Sequence, residues 1–328
     1  MRRREVIFAL ASVMAVPFAA DAQQAERTGK IAVLMMYPED DPQGQIRATV
    51  FRREVEKTGW TIGRNLQINF HWGTGDADWV RSAIAQILRG KPDVILANGD
   101  AAVKVAQQAT QNVPVVFIAS GDPVGDGLVQ SLAHPGSNLT GFAVMEPSLG
   151  AKLLGLLKQV APRVGHVGVL VNPDSVTHKR IVALLTAAAP GFGVEILTSP
   201  AREPADIEKA MTQWGEASDF GVVVPSDPST NSHRALVVKL AARHRTPAIF
   251  ALRAAVVDGG LMSYGVDIPE LFRRAARYAD RILKGEHPAD LPVELPAKFE
   301  LVINLKTARS LGFEIPTPLI TTADEVIE

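Results

Sequence analysis

The feature that most constrains the fold is a set of short apolar runs that occurs twice along the chain in the same order. Each run is continuous and rich in Val and Ile, as expected of a parallel strand covered on both faces. Amphipathic stretches with helical spacing separate the runs, and this alternation predicts an α/β fold with right-handed crossovers. Three runs recur about 130 residues later: 30–35 at 166–171, 93–98 at 220–225, and 112–117 at 245–250.

The repeat predicts two lobes of the same fold, and the alternative is one large doubly wound sheet. The end of the chain breaks the alternation, because 268–284 predicts a strong helix, 294–305 extended chain and 306–311 a short helix. These elements follow a complete second lobe, so we expect the chain to cross back to the first lobe and return, which gives a multi-strand hinge. The predicted lobes are 30–142 plus about 267–292, and 143–266 plus about 293–328.

The amino terminus has the three parts of a secretory signal peptide. Arginines at 2–4 precede an apolar run at 6–20, and the small residues Ala20 and Ala22 form a cleavage pattern at its end. The run is shorter than the roughly 20 apolar residues that span a bilayer. We therefore expect cleavage after Ala22 and a mature protein in the periplasm, with an uncleaved anchor as the alternative. The arginine pair at 3–4 leaves both the Sec and the twin-arginine export routes open.

Composition excludes several classes of protein. With 34 basic and 35 acidic residues the net charge is -1, so no basic excess indicates a nucleic-acid or anionic-membrane partner. The absence of cysteine excludes disulfides and cysteine nucleophiles. Phosphate-loop, HExxH and GxSxG motifs are absent, so we expect no catalytic residue, metal or cofactor. The histidines are scattered, and His178, beside Lys179 and Arg180, is predicted to lie on a solvated helix face.

Polar residues follow the predicted strands, at the edge where open α/β sheets bind ligands. Their hydroxyls, amides and carboxylates predict two polar lips around a small molecule, with carboxylates for an ammonium and hydroxyls or amides for a carboxylate. Helix capping is the competing interpretation, because Asp, Asn and Ser are favoured N-caps. Trp72 lies at the predicted rim, with core packing as its alternative. The candidate ligand residues are Tyr37, Asn98, Ser120 and Asp122 in the first lobe, and Asn172, Ser226, Asp227 and Tyr264 in the second.

Several blocks of the chain resemble a group of ABC-transporter substrate-binding proteins. The blocks are 121–124 with 127–129, then 131–141, 260–265, 291–296, 299–308 and 323–327. The resemblance extends over nearly the whole mature chain. It implies a type I periplasmic-binding-protein fold, with two Rossmann-like lobes of parallel sheets, a hinge, and a ligand in the cleft. Members with assigned ligands include binders of aromatic amino acids such as tryptophan.

These observations predict an exported solute-binding protein that captures a small molecule and delivers it to an ABC permease in the inner membrane. An amino acid or an aromatic acid is the favoured ligand, and sugars are its main competitor. Ligand binding is expected to close the lobes of a monomer without covalent chemistry. The alternatives are an exported α/β hydrolase or lyase, and a periplasmic ligand sensor with the same fold.

Overall fold

The duplicated strand pattern forms two sheets, one of five strands and one of seven. The computed structural model describes residues 28–73, 77–119, 122–173, 175–226, 228–296 and 298–328, so the predicted signal peptide lies outside it. Helices cover both faces of each sheet and give each lobe two hydrophobic cores. The prediction of two lobes is therefore confirmed, and the alternative of one doubly wound sheet is wrong.

The first sheet is parallel throughout, and its strands run in the order β2-β1-β3-β4-β5. The strands are β1 (Gly29–Met35), β2 (Leu66–Trp72), β3 (Val94–Asn98), β4 (Val115–Ala119) and β5 (Leu139–Ala143). The helices that join them are α1 (Pro42–Lys57), α2 (Ala77–Arg89) and α3 (Asp100–Ala109). The core on one face holds Phe51 and Val55 of α1, and the core on the other holds Val80 of α2 and Val103 of α3.

The second sheet repeats this order and extends it by two strands, giving β12-β11-β10-β9-β8-β6-β7. Its strands are β6 (His166–Val171), β7 (Glu195–Pro200), β8 (Phe220–Val224), β9 (Ala248–Phe250), β10 (Met262–Val266), β11 (Phe299–Asn304) and β12 (Glu325–Ile327). The helices that cover this sheet and precede β11 along the chain are α4 (Leu149–Val160), α5 (Val176–Phe192), α6 (Pro204–Gly215), α7 (Pro228–Ser232), α8 (Arg234–His244) and α9 (Arg253–Val257). The order β7-β6-β8-β9-β10 matches β2-β1-β3-β4-β5, so the sequence repeat is a repeat of topology.

Helix α10 (Ile268–Leu283) returns to the first lobe, as the sequence predicts. It begins at Asp267, whose Oδ1 accepts the Glu270 backbone N–H at 2.9 Å, and Phe272 shares a core with Phe51 of α1. Beyond α10 the chain reaches β5, where the Thr140 hydroxyl donates to the carbonyl of Leu291 at 2.6 Å.

The chain then crosses to the second sheet, where β11 pairs antiparallel with β10. The last helices, α11 (Leu305–Leu311) and α12 (Thr317–Thr322), pack on that sheet. In the part of the chain that the structure describes, three segments therefore cross between the lobes: one from β5 to α4, one from β10 to α10, and one that leads into β11. None of the helices within the described ranges has the length and apolar character needed to cross a membrane.

Candidate ligand-binding site

The carboxyl ends of β1 and β3 bring three buried polar side chains together. Tyr37 follows β1, Asn98 ends β3, and Arg47 reaches them from the second turn of α1; their exposed fractions are 4%, 8% and 4%. The Arg47 guanidinium lies over the Tyr37 ring, 4.5 Å from its centroid. Its Nη1 donates to Asn98 Oδ1 at 3.4 Å, and Asn98 Nδ2 donates to the carbonyl of Ile118 at 3.5 Å. The first lobe therefore supplies a cation, an aromatic ring and an amide at one point.

The close packing of α1 determines where these side chains lie. Asp41 caps the helix, and its Oδ1 accepts the backbone N–H groups of Gln43 and Gly44 at 2.8 and 2.9 Å. A Cβ at Gly44 would lie 3.0 Å from the Trp72 ring and 3.1 Å from Tyr37 Cβ, so glycine allows the helix to approach. Trp72 is half-buried and stacks on Phe70 with ring centroids 5.5 Å apart, which favours its packing interpretation.

The second lobe reaches this group through Asn231 of α7. Asn231 Nδ2 donates to the Tyr37 hydroxyl at 3.3 Å and to Ser226 Oγ at 3.2 Å, and Asn231 is itself only 7% exposed. Tyr37, Arg47, Asn98, Ser226 and Asn231 therefore form one polar group between the lobes, which we call the interlobe cluster. Three of its five members, Tyr37, Asn98 and Ser226, are residues that the sequence predicts.

Two further contacts hold the lobes against each other beside the cluster. Arg180 of α5 forms an ion pair with Asp126, which follows β4, with Nη1–Oδ2 and Nη2–Oδ1 distances of 3.0 and 2.5 Å. The Thr177 hydroxyl, also on α5, donates to the carboxylate of Asp100 on α3. The lobes are therefore in contact across the cleft, and the interlobe cluster is shielded from solvent.

The charge of Arg47 is the main electrostatic feature of the cluster. Among the described residues Arg47 forms no ion pair, and its buried Nε has no hydrogen-bond partner. A buried charge is costly unless it is paired, by several kcal/mol even after relaxation. Sequence reasoning did not select Arg47, although a signal was present. Arg47 occupies the face of α1 that also carries Gly44, Ala48 and Phe51. A charged residue on a buried helix face needs a compensating charge or a hydrogen-bond partner, because burying an unpaired charge is costly.

The remaining predicted residues have other surroundings. Ser120 and Asp227 lie outside the described residues. Asp122 is exposed, and its Oδ1 accepts the Gly125 backbone N–H at 2.8 Å, which agrees with the capping interpretation. Asn172 is half-buried before α5, and its backbone N–H donates to His178 Nδ1 at 2.7 Å.

Tyr264 belongs to β10, where it pairs with Leu301, so the expectation of a loop after that strand is wrong. Its ring stacks on Phe299 with centroids 5.4 Å apart, and Lys152 Nζ lies 5.9 Å from its centroid. Burial raises the pKa of its phenol, and the nearby carboxylates of Glu146 and Asp324 add to the shift. These contacts place Tyr264 where β10, β11 and α4 meet.

The prediction that His178 lies on a solvated helix face is wrong. His178 is 0% exposed, and it shares the buried face of α5 with Ile181, Leu185 and Ala189. The spacing of 3.6 residues per turn explains the error, because it directs Lys179 and Arg180 away from the face that carries His178. The Nδ1 of His178 accepts a backbone N–H and so anchors the loop before α5.

Two surface cavities lie elsewhere in the first lobe. One of about 370 Å³ is lined by Lys30, His71 and Gln86 beside β1, β2 and α2. The other, of about 610 Å³, lies at the amino ends of the strands and includes Trp60 and His287. Neither is lined by a residue of the interlobe cluster, and the carboxyl ends of parallel strands are where such folds bind ligands.

Two lobes that share the same order of five parallel strands, the crossing segments and a polar cluster between the lobes define a binding protein with a periplasmic-binding-protein architecture. The chain belongs to the family of ABC transporter substrate binding proteins, whose family model matches residues 30–327. The resemblance seen in the sequence is thereby confirmed. The family consists of substrate-binding proteins, so membership does not favour the hydrolase or lyase alternative.

Individual relatives support this assignment. A tyrosine-binding protein of Clostridioides difficile (strain R20291) is 28% identical over 264 residues, which cover 80% of this chain and 76% of that protein. An ABC domain from Streptococcus pneumoniae in complex with L-Trp has a TM-score of 0.83 and 26% identity, covering 92% of this chain and 100% of that one.

The third relative is a ligand-free, open substrate-binding protein with adhesive properties from Clostridium difficile. It is also 26% identical, with a TM-score of 0.68, and the alignment covers 92% of this chain and 99% of that one. Both structures are 26% identical to this chain, but the TM-score is higher for the L-Trp complex, at 0.83, than for the open structure, at 0.68.

Proposed function

We propose that this chain is an exported solute-binding protein that captures an amino acid or an aromatic acid between its lobes and delivers it to an ABC permease in the inner membrane. The observation that carries the proposal is the Tyr37–Asn231 hydrogen bond, because it brings polar side chains of both lobes to one point. The names of the tyrosine-binding and L-Trp-bound relatives support the ligand class. The protein acts by binding and closure, as a monomer and without covalent chemistry.

The proposed ligand contacts are the five members of the interlobe cluster. Ser120 and Asp227 remain predictions, since they follow strands that end at the same edge as Asn98 and Ser226. Asp122, Asn172 and Tyr264 also remain predictions, and their described contacts are structural. The proposed hinge divides the chain into lobes of 30–142 plus about 267–292 and 143–266 plus about 293–328.

Calorimetric titration tests the ligand class directly. The compounds are L-tyrosine, L-tryptophan, L-phenylalanine, branched-chain amino acids, benzoate-type acids and common sugars. We expect saturable binding of an amino acid or aromatic acid, which at a hundred times its dissociation constant stabilises the fold by about 2.7 kcal/mol. Binding of sugars alone would make the ligand class wrong and leave the transport role intact, whereas turnover of a bound compound would move the protein to an enzyme class.

The proposed location and motion have separate tests. Intact mass of material from the periplasm is expected to show a chain that starts at Gln23, and full-length chain in the inner membrane would contradict cleavage. Small-angle scattering is expected to give a smaller radius of gyration with ligand than without it, because ligand shifts the population from open to closed. An unchanged profile at saturation would contradict closure.

A further inference from the structure

We propose that Arg47 binds a carboxylate of the ligand and thereby restricts the site to acids. The inference rests on the proposed function and deepens it, since it identifies the residue that selects the ligand class. It predicts that a compound with the same aromatic ring but no carboxylate binds much more weakly than the acid, even where the ring fits equally well.

The first argument is the charge balance of the interlobe cluster. Arg47 is 4% exposed, and the acceptor that it reaches is the neutral amide oxygen of Asn98, at 3.4 Å. Tyr37 offers the face of its ring at 4.5 Å, which attracts a cation but does not neutralise it. No described carboxylate forms an ion pair with this guanidinium. With the lobes in contact, the part of the cluster that the structure describes therefore carries a positive charge that no described carboxylate compensates.

The second argument is the geometry of the guanidinium. Its five N–H donors lie in a planar fork that matches the two oxygens of a carboxylate. Nη1 is directed to Asn98, while the buried Nε has no partner among the described residues. The edge formed by Nε and Nη2 presents two parallel N–H groups, and this edge accepts a carboxylate in a two-bonded arrangement. Asn98 and Tyr37 hold the side chain in place for it.

The third argument links the charge to closure. When the lobes close, Arg47 loses solvent, and without an anion this loss carries the cost of a buried unpaired charge. A ligand carboxylate removes that cost in the closed state and is therefore bound more tightly there. A neutral ligand gains no such advantage, so Arg47 makes closure depend on the charge of the ligand as well as on its fit.

The wild-type protein tests the inference without any mutation. L-Tyrosine is compared by calorimetry with tyramine, which lacks the carboxylate, with L-tyrosinamide, which neutralises it, and with 3-(4-hydroxyphenyl)propanoate, which lacks only the ammonium. The matching tryptophan set is L-tryptophan, tryptamine, L-tryptophanamide and 3-indolepropanoate. We expect tyramine and the amide to bind at least about thirtyfold more weakly than the parent amino acid. The propanoate analogues are expected to bind more tightly than the amines. If only the propanoate analogues lost affinity, the site would recognise the ammonium group of the ligand and not its carboxylate, which would overturn the inference.

Variants of Arg47 provide the second test. R47Q removes the charge, R47K keeps it without the two-bonded fork, and R52Q removes an exposed arginine of the same helix as a control. R47Q is expected to lower affinity for the acid about thirtyfold or more, R47K less, and R52Q not at all. R47Q should also reduce the difference between tyrosine and tyramine to nearly nothing, which a purely structural role of Arg47 would not do.

The outcomes separate this inference from the proposed function. If wild-type protein binds tyrosine and tyramine, or tryptophan and tryptamine, equally well, Arg47 is no carboxylate site, although the binding role stands. If sugars are the only compounds in the titration panel that bind, the inference is overturned together with the proposed ligand class. If R47Q fails to fold, the analogue series on the wild-type protein still decides.

Discussion

Arg180 and Asp126 lie in different lobes and form a two-bonded ion pair across the cleft, with distances of 3.0 and 2.5 Å. The hydrogen bonds that Arg180 donates to Asp126 raise the pKa of the Arg180 guanidinium further above its already high ordinary value, so this partner is charged at neutral pH. Both side chains are partly exposed, at 25% and 30%, and such pairs contribute about 1 kcal/mol at most. The pair therefore favours the closed arrangement without locking it.

Removing this pair is expected to weaken ligand binding modestly. R180Q or D126N makes the closed state less favourable relative to the open one, so apparent affinity should fall about two- to fivefold. Calorimetry measures the change, and scattering of the ligand-free protein should show a larger radius of gyration. K179Q, which changes the exposed neighbour of Arg180, serves as the control. Equal losses in K179Q would mean that general surface charge, and not this pair, affects closure.

The Tyr37–Asn231 hydrogen bond is expected to contribute to affinity through the same closed state. Y37F keeps the ring that lies under Arg47 and removes the hydroxyl that accepts the Asn231 N–H at 3.3 Å. A net hydrogen bond is worth about 0.5–1.5 kcal/mol, so affinity should fall about three- to tenfold. A double-mutant cycle of Y37F and N231A is the measurement. Strictly additive losses would show that the two residues do not act through their mutual contact.

Glu54 is expected to make the stability of the first lobe depend on pH. Hydrogen bonds from Arg277 of α10 and from Lys57 of α1 lower the pKa of its carboxyl. The two bonds from Arg277, at 2.9 and 2.8 Å, hold α10 against α1. Because the folded-state pKa lies below the unfolded value of about 4.3, the contribution to stability is present above that value. It is lost as pH falls through the folded-state pKa.

E54Q should therefore destabilise the protein by about 1–2 kcal/mol at neutral pH and by progressively less below about pH 4. Urea unfolding at several pH values measures this difference. E56Q, an exposed carboxylate on the same helix, is the matched control and should show little change. A difference between wild type and E54Q that stays constant down to pH 3 would contradict the ionised-carboxylate explanation.

Much of the fold could be predicted because it depends on local patterns. Apolar runs 30–35 and 166–171 became β1 and β6, and helix α10 begins and ends within a residue of its predicted limits. The sequence misleads where residues that are adjacent along the chain differ in their surroundings. His178 is buried although its neighbours Lys179 and Arg180 are charged, and Tyr264 belongs to β10 although the sequence predicts that it follows the strand.

The sequence by itself determined the two-lobed α/β plan, the return of the tail and the family, because these follow from periodicity and from long blocks of residues. It also placed Tyr37, Asn98 and Ser226 at strand ends, where ligands bind. Only the tertiary structure decided that Arg47 lies against Asn98, 51 residues away, and that Asn231 meets Tyr37 across 194 residues. The physical reason is that helix spacing can assign a residue to a buried face but cannot specify its partner. Whether a buried charge is paired depends on contacts between elements that packing alone brings together.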